Sequence, residues 1–320
     1  MSQSQTGISR RRILAAGGGL AIAAMVDGVG VAAASVPSSP RFDLTQASHD
    51  LFRDKPLARP TVMQSFTFDN ANQRLFVAQL ADDAPAAAGN LCVTQLNFSG
   101  DPVGQMSLTG FGHGVSIGAE PVGSDSYLWT EVDAVDGWGT RLARFPFVDG
   151  ATVDHTSGSL QKHQPITGAD RFTCAVDPVN ERLIVRYRTS DKQFRFAAYD
   201  IADVRADIYS RRLADVAQPA GLGNFQGYTA FGEYLYLLDG DPYDPDTNPP
   251  PGNTFVNSVS LNGGPLTREP TNAGGSLVYR EPEGMAVYRT VAGEPRLFLG
   301  FASENPGDRR CNIFYKNVLV

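Results

Sequence analysis

Three cysteines, four histidines and two tryptophans are all that 320 residues hold of these types. No Cys-x-x-Cys pair and no Cys/His cluster occurs, which removes the common zinc frameworks. Three thiols cannot all pair, and Cys92, Cys174 and Cys311 each lie in an apolar, strand-like run, as buried small hydrophobes do. Charge is also scarce, at 19% of residues, and no basic stripe is present. Long apolar runs are missing: the best stretch, Ile13 to about Met25, is rich in Gly and Ala, too short to span a bilayer comfortably, and followed by Asp27. What abounds is turn chemistry. With 33 Gly and 21 Pro the chain is interrupted too often to be mainly helical, so β structure is expected.

The N-terminus reads separately. Arg10-Arg11-Arg12 leads the weakly apolar stretch, and Ala32-Ala33-Ala34 offers a small-residue cleavage pattern, so residues 1–34 resemble a twin-arginine export signal. Residues 35–41 read as an exposed linker and 42–320 as the folded domain. Removing 1–34 reduces 27 basic and 34 acidic side chains to 24 and 33, a net charge of −9. With no basic stripe to track a nucleic-acid backbone, no nucleic acid is expected as a partner. No membrane segment is expected after signal removal.

Phe68 to Val77 reads FDNANQRLFV and Val176 to Val185 reads VDPVNERLIV, the same Asp-x-x-Asn-x-Arg-Leu turn 108 residues apart. Treated as a hairpin turn between an incoming and an outgoing strand, it has degenerate copies. The incoming strands begin at Gln64, His113, Phe172, Gln226 and Glu283, spaced by 49, 59, 54 and 57 residues. A weaker third strand follows each hairpin. A unit of three or four strands cannot cover both its faces alone, whereas radial packing against like units covers both. The expectation is an all-β, five-bladed β-propeller, its ring closed by an N-terminal strand with Arg41–Leu44 as the candidate.

In that geometry inner strands start, and second strands end, at one mouth of the central channel. The starts supply Gln64, His113, Arg171, Gln226 and Glu283. The ends supply Gln79, Glu131, Asp133, Arg186, Arg188, Asp239, Asp241, Ser303 and Glu304. The opposite mouth is mostly turns. A rim of amides, carboxylates and guanidinium groups suits a hydroxyl-rich, anionic polymer, and Phe66, Trp129, Phe172, Tyr187 and Tyr228 are interleaved with it as stacking candidates. Ligand-binding candidates are Gln64, Gln79, His113, Glu131, Arg171, Arg186, Gln226, Asp239 and Glu283.

The stretches VMQSFTFDNANQRLFVAQL, GHGVSIG with YLWTE, FQGYTAFGEYLYLLDGD and PEGMAVYR carry a family resemblance. They are similar to the propeller shared by teichoic-acid biosynthesis protein C-like proteins, receptor-binding tail proteins of some staphylococcal phages, and helveticin-type class III bacteriocins. The likeness covers roughly residues 42–320. It implies a five-bladed propeller and contact with cell-wall glycopolymers, without the additional domains of the phage proteins. The expected partner is therefore a cell-wall glycopolymer or extracellular polysaccharide, bound by a secreted monomer that uses no cofactor.

Catalysis stays open as the alternative. His113, Glu283, Glu131 and Tyr228 are the candidates for a glycoside hydrolase or polysaccharide lyase, with Arg171 or Arg186 to neutralise a uronate. Gly114-Val-Ser116-Ile-Gly118 matches the nucleophile-elbow pattern, but it lies in a β context with no helix after it. Asp239, Asp241, Asp244 and Asp246 crowd one loop, which reads as a solvated acidic segment; a hard cation is the alternative there, without EF-hand spacing.

Overall fold

The repeated turn explains the assembly better than any single strand does. In the computed structural model, which describes residues 35–320, Asp69 Oδ1 accepts the Asn72 amide N–H at 3.1 Å and Oδ2 accepts Asn72 Nδ2 at 2.9 Å. The same Oδ2 accepts Ser126 Oγ of the next blade at 2.5 Å, and Arg74 reaches that hydroxyl at 3.1 Å. In the second copy Asp177 accepts Val179 N, Asn180 N and Asn180 Nδ2, then Gly232 N of the following blade at 2.9 Å, while Arg182 donates to Gly232 O at 2.8 Å. Gln73 and Glu181 both take φ of +53°. Each turn is thus folded by its Asp and bolted by Asp and Arg to the neighbouring hairpin.

Strand β1 (His49–Lys55) precedes the first blade, β2 (Met63–Asp69), β3 (Arg74–Leu80), β4 (Leu91–Leu96) and β5 (Pro102–Thr109). The second blade is β6 (Gly118–Val122), β7 (Asp125–Val135) and β8 (Trp138–Pro146). Then β9 (Thr152–Asp154) returns to pair parallel with β5 before β10 (Gln161–His163) completes blade two. Blade three is β11 (Asp170–Asp177), β12 (Arg182–Arg188), β13 (Phe194–Asp200), the short helix α1 (Ile201–Arg205) and β14 (Ala214–Ala217). Blade four is β15 (Phe225–Phe231), β16 (Tyr234–Asp239), β17 (Phe255–Ser260) and β18 (Thr267–Pro270). Blade five is β19 (Glu281–Arg289), β20 (Pro295–Ser303) and β21 (Arg310–Lys316), with β1 on its outer edge.

The inner strands β2, β6, β11, β15 and β19 pack on one another in that order, and β19 closes on β2. The core is not one mass but an apolar layer at each blade junction. Phe66, Phe68 and Phe298 fill the layer between blades five and one, and Tyr236, Met285 and Phe301 that between four and five. Cys92, Cys174 and Cys311 are free and buried, each on a different blade.

Three expectations shift. Ring closure is made by β1, with His49 opposite Tyr315 and Lys55 opposite Cys311, rather than by Arg41–Leu44. Those earlier residues meet the C-terminus instead: Arg41 and Val320 exchange backbone bonds of 2.9 and 2.8 Å, while Phe42 and Leu44 are buried in the layer between blades four and five. The expected linker 35–41 is docked, since Val36 packs in the layer between blades three and four and Asn262 bonds both its N–H (2.9 Å) and its C=O (2.8 Å). Finally, His113–Ile117 is not the second inner strand, which is Gly118–Val122. Gly114 at φ +79° gives its N–H to Glu131 and its carbonyl to Ser65 Oγ, so this segment crosses the mouth as irregular chain. The proposed signal, 1–34, lies outside the described residues.

Replacing Asp69 with Ala removes both the turn bonds and the link to blade two. The expected loss is on the order of 2–3 kcal/mol in urea unfolding, with ligand binding at the far mouth unchanged; a loss under about 0.5 kcal/mol would contradict the bolt.

Candidate functional site

Convergence of the inner strands decides which residues can surround the mouth. A Cβ on Gly227 would lie 2.7 Å from Gly284 Cα, and one on Gly284 would lie 2.7 Å from Ser65 Cα. These glycines are therefore needed for backbone packing at the axis. The polar residues before two of them, Gln226 and Glu283, stand beside the channel with Gln64, at 9%, 5% and 9% exposure respectively. Gln226 donates to Gly240 O at 3.0 Å. Glu283 has no such bond; burial first, and the neighbouring Glu281 charge second, push its carboxyl well above the usual range, with Arg309 offsetting part of this.

Several predicted site residues lie beneath the mouth and hold its loops. Gln79, fully buried, donates to Arg59 O (2.8 Å) and Thr61 O (2.7 Å) and accepts Arg59 N (3.2 Å). Asp239, also fully buried, takes both Nη groups of Arg268 at 2.8 Å, Asn257 Nδ2 at 2.6 Å and Gly223 N at 2.5 Å. Glu131 accepts Gly114 N (2.8 Å) and Gly139 N (2.6 Å), and burial raises its carboxyl to about 7. Tyr228 is enclosed between blades three and four: its hydroxyl accepts Arg186 N at 3.0 Å and donates to Ile184 O at 3.2 Å. This placement corrects its candidacy as a base, because the oxygen is occupied by backbone and burial raises its pKa. Of the four catalytic candidates, His113 and Glu283 remain beside the opening.

A second tier is built on arginine–aromatic contacts, with Trp138 and Arg171 half-buried and Arg186 and Arg309 buried. Trp138 stacks with His113, rings 4.7 Å apart and 9° from parallel, and Arg171 sits 4.9 Å from the same indole. Arg186 is flanked by Phe194 at 3.7 Å and Phe225 at 4.1 Å, with its Nε on Gln218; burial lowers its pKa to about 10, which leaves it charged near neutral pH. Arg309 lies 3.8 Å over Tyr279, and Arg268 3.8 Å over Phe255. Guanidinium planes held against rings lose little freedom on meeting a phosphate or carboxylate. Arg171 itself takes φ of +50° at the start of β11. Asp133 at the rim is held by Lys162 at 2.5 Å and His155 at 3.1 Å, and Arg188 pairs with Asp170 at 2.7 Å.

The aromatic residues expected at the rim are elsewhere: Phe66, Trp129, Phe172 and Tyr228 are fully buried and Tyr187 is 2% exposed, all of them in junction layers. Trp138, Phe194, Phe225 and Tyr279 take the role instead. A signal for Trp138 was present, since Asp136-Gly137 is the dipeptide of a tight hairpin, and both take positive φ (51° and 77°). That hairpin joins the eleven-residue β7 to β8, whose first residue, Trp138, is thereby placed at the mouth. The acidic loop does not converge: Asp241 accepts Asn253 Nδ2, Asp244 accepts the N–H groups of Asp246 and Thr247, and Asp246 is exposed. Among the described residues no His, Cys, Asp and Glu group is arranged to hold a metal ion.

Five radially packed sheets around a channel define a five-bladed β-propeller. The chain belongs to the phage 5-bladed beta propeller receptor binding platform domain family, whose model matches residues 62–315. A curated relative, the putative major teichoic acid biosynthesis protein C of Bacillus subtilis (strain 168), is 28% identical over 295 residues, 87% of this chain and 65% of the relative. The tail fiber of Staphylococcus aureus phage P68 is 21% identical with a TM-score of 0.69, over 87% of this chain and 52% of the fiber. The chain thus spans less than two thirds of either protein. An exo-beta-1,3-galactanase from Clostridium thermocellum superposes over 81% of this chain and 60% of its own, at 9% identity and a TM-score of 0.48.

Glu131 links the mouth to pH. Its folded pKa of about 7 exceeds the ordinary 4.5, so the folded state binds a proton that the unfolded state releases between these values. Its contribution to stability is full below about 4.5 and is lost as pH rises to about 7, by on the order of 3 kcal/mol. The stability difference between the native chain and Glu131→Gln should change over that window in urea unfolding; parallel pH profiles would refute it.

Proposed function

We propose that the chain is an exported propeller that binds a cell-wall or extracellular glycopolymer, teichoic-acid-like or otherwise acidic, at the strand-start mouth. The observation that carries this reading is the pairing of two features at one opening: the Trp138 platform with His113 and Arg171, and Arg186 held between Phe194 and Phe225. The half-buried Trp138 offers apolar surface to a sugar ring, and the half-buried Arg171 beside it takes the anions between sugars. Gln64, Gln226 and Glu283, which lie near the starts of inner strands, supply donors and acceptors for hydroxyls. The name of the Bacillus relative points to teichoic acid, and the family description to receptor binding.

Location belongs to the same proposal. Arg10-Arg11-Arg12 before a weakly apolar stretch supports export in the folded state through the twin-arginine route, and Arg10→Lys with Arg11→Lys would then hold the precursor inside the cell. Among the described residues no helix is long and apolar enough to cross a membrane. A second reading, cleavage of the glycan at this mouth, draws on Glu283, whose carboxyl is raised by burial and by the Glu281 charge, the direction a general acid needs.

One experiment separates these readings. The purified chain is titrated with polyglycerol-phosphate and polyribitol-phosphate teichoic acids, an acidic polysaccharide and a neutral glucan, and the mixtures are then assayed for new reducing ends and for unsaturated uronate. Binding of the anionic polymers without products is expected, and Trp138→Ala or Arg171→Ala should each weaken it about tenfold. Products would establish cleavage, and unchanged binding by both variants would remove the mouth as the site.

A further inference from the structure

The mouth at the turn ends of the inner strands is not closed by its turns. It holds a cavity of about 560 Å³, on the scale of small-molecule sites. Four blades contribute to it: Asn70 from the β2–β3 turn, Glu120 from β6, Val176 from β11 together with Arg205 of α1, and Arg289 from the end of β19. We propose that this cavity is a second ligand site, for a small hydroxylated anion bearing a phosphate or carboxylate group.

The charges in the wall are unevenly satisfied. Glu120 is covered from three sides: Arg205 Nη1 at 2.7 Å on one oxygen, and Arg144 Nε at 2.8 Å with Trp129 Nε1 at 3.0 Å on the other. Its charge is therefore met within the protein. Arg289 differs. Its Nε donates to Gly293 O at 3.2 Å, and among the described residues no carboxylate pairs with it, so both Nη groups are left for a ligand. Arg205 keeps Nε and its second Nη beyond the bond to Glu120. Glu181 is the other carboxylate on the lining and lies on the exposed rim of the β11–β12 turn.

The remaining wall sets the rest of the ligand. Asn70, half-buried, lines the cavity and brings an amide there that can hydrogen-bond a ligand hydroxyl. Val176, Ile201 and Ala119 form an apolar side against which a short carbon chain fits. An anion for Arg289 and Arg205, a hydroxyl for Asn70 and a short carbon skeleton together describe a polyol phosphate or a sugar acid.

The test is calorimetric titration of the purified chain with glycerol 3-phosphate and gluconate, using inorganic phosphate and glycerol as controls. At least one hydroxylated anion should bind, more tightly than inorganic phosphate, and glycerol should not; which of the two binds assigns phosphate or carboxylate. Arg289→Ala, on an exposed side chain, and Asn70→Asp should each weaken binding about tenfold, while Trp138→Ala and Arg171→Ala at the opposite mouth should leave it unchanged. The site is refuted if neither anion binds, if glycerol binds equally, or if Arg289→Ala binds as the native chain does. Because the two mouths are altered by different variants, failure here leaves the glycopolymer reading standing.

Discussion

At the axis, Gly284 packs where a Cβ would lie 2.7 Å from the Ser65 backbone, and Gly227 repeats this contact against Gly284. Five sheets can converge to that degree only if each is wedged correctly against its neighbours. The junction layers supply the apolar area, and the Asp-x-x-Asn-x-Arg turns supply direction: Asp69 with Arg74 fixes blade two through Ser126, and Asp177 with Arg182 fixes blade four through Gly232. The channel, and with it both mouths, inherits its shape from this convergence.

Tight convergence also explains why the strand-start mouth is layered. Polar side chains that begin inner strands are drawn almost out of solvent, as the 5–9% exposure of Gln64, Gln226 and Glu283 records. Those that end second strands are buried outright, so Gln79, Glu131 and Asp239 serve the backbone of the loops above them. Arg171, Arg186 and Arg309 are each held against an aromatic ring, an arrangement whose side-chain entropy is already reduced before a ligand arrives.

Much of the fold was legible because the repeat is written in turn chemistry. Asp, Asn and Arg-Leu at fixed offsets marked the hairpins, and their spacing implied five blades. What failed was local. His113–Ile117 looks like a strand by composition, yet Gly114 at φ +79° with its N–H on Glu131 takes it out of the ladder. Arg41–Leu44 reads as the closing strand, and its Phe42 and Leu44 do bury, but in a junction layer; His49–Lys55 is the segment that follows the edge of β21. The mouth was legible in its charges and not in its aromatics, because a ring such as Tyr228 or Phe172 within a strand faces the next blade, whereas Trp138 beside a tight hairpin is carried outward.

The central claim is that a glycopolymer engages the strand-start mouth of the ring. Amide hydrogen exchange with and without polyglycerol-phosphate teichoic acid tests it most directly. The account predicts added protection in the hairpin around Trp138, at residues 170–172 and at 225–227, with no change in the body of the blades. Protection confined to the outer strands, or none at the Trp138 hairpin under saturating polymer, would contradict it.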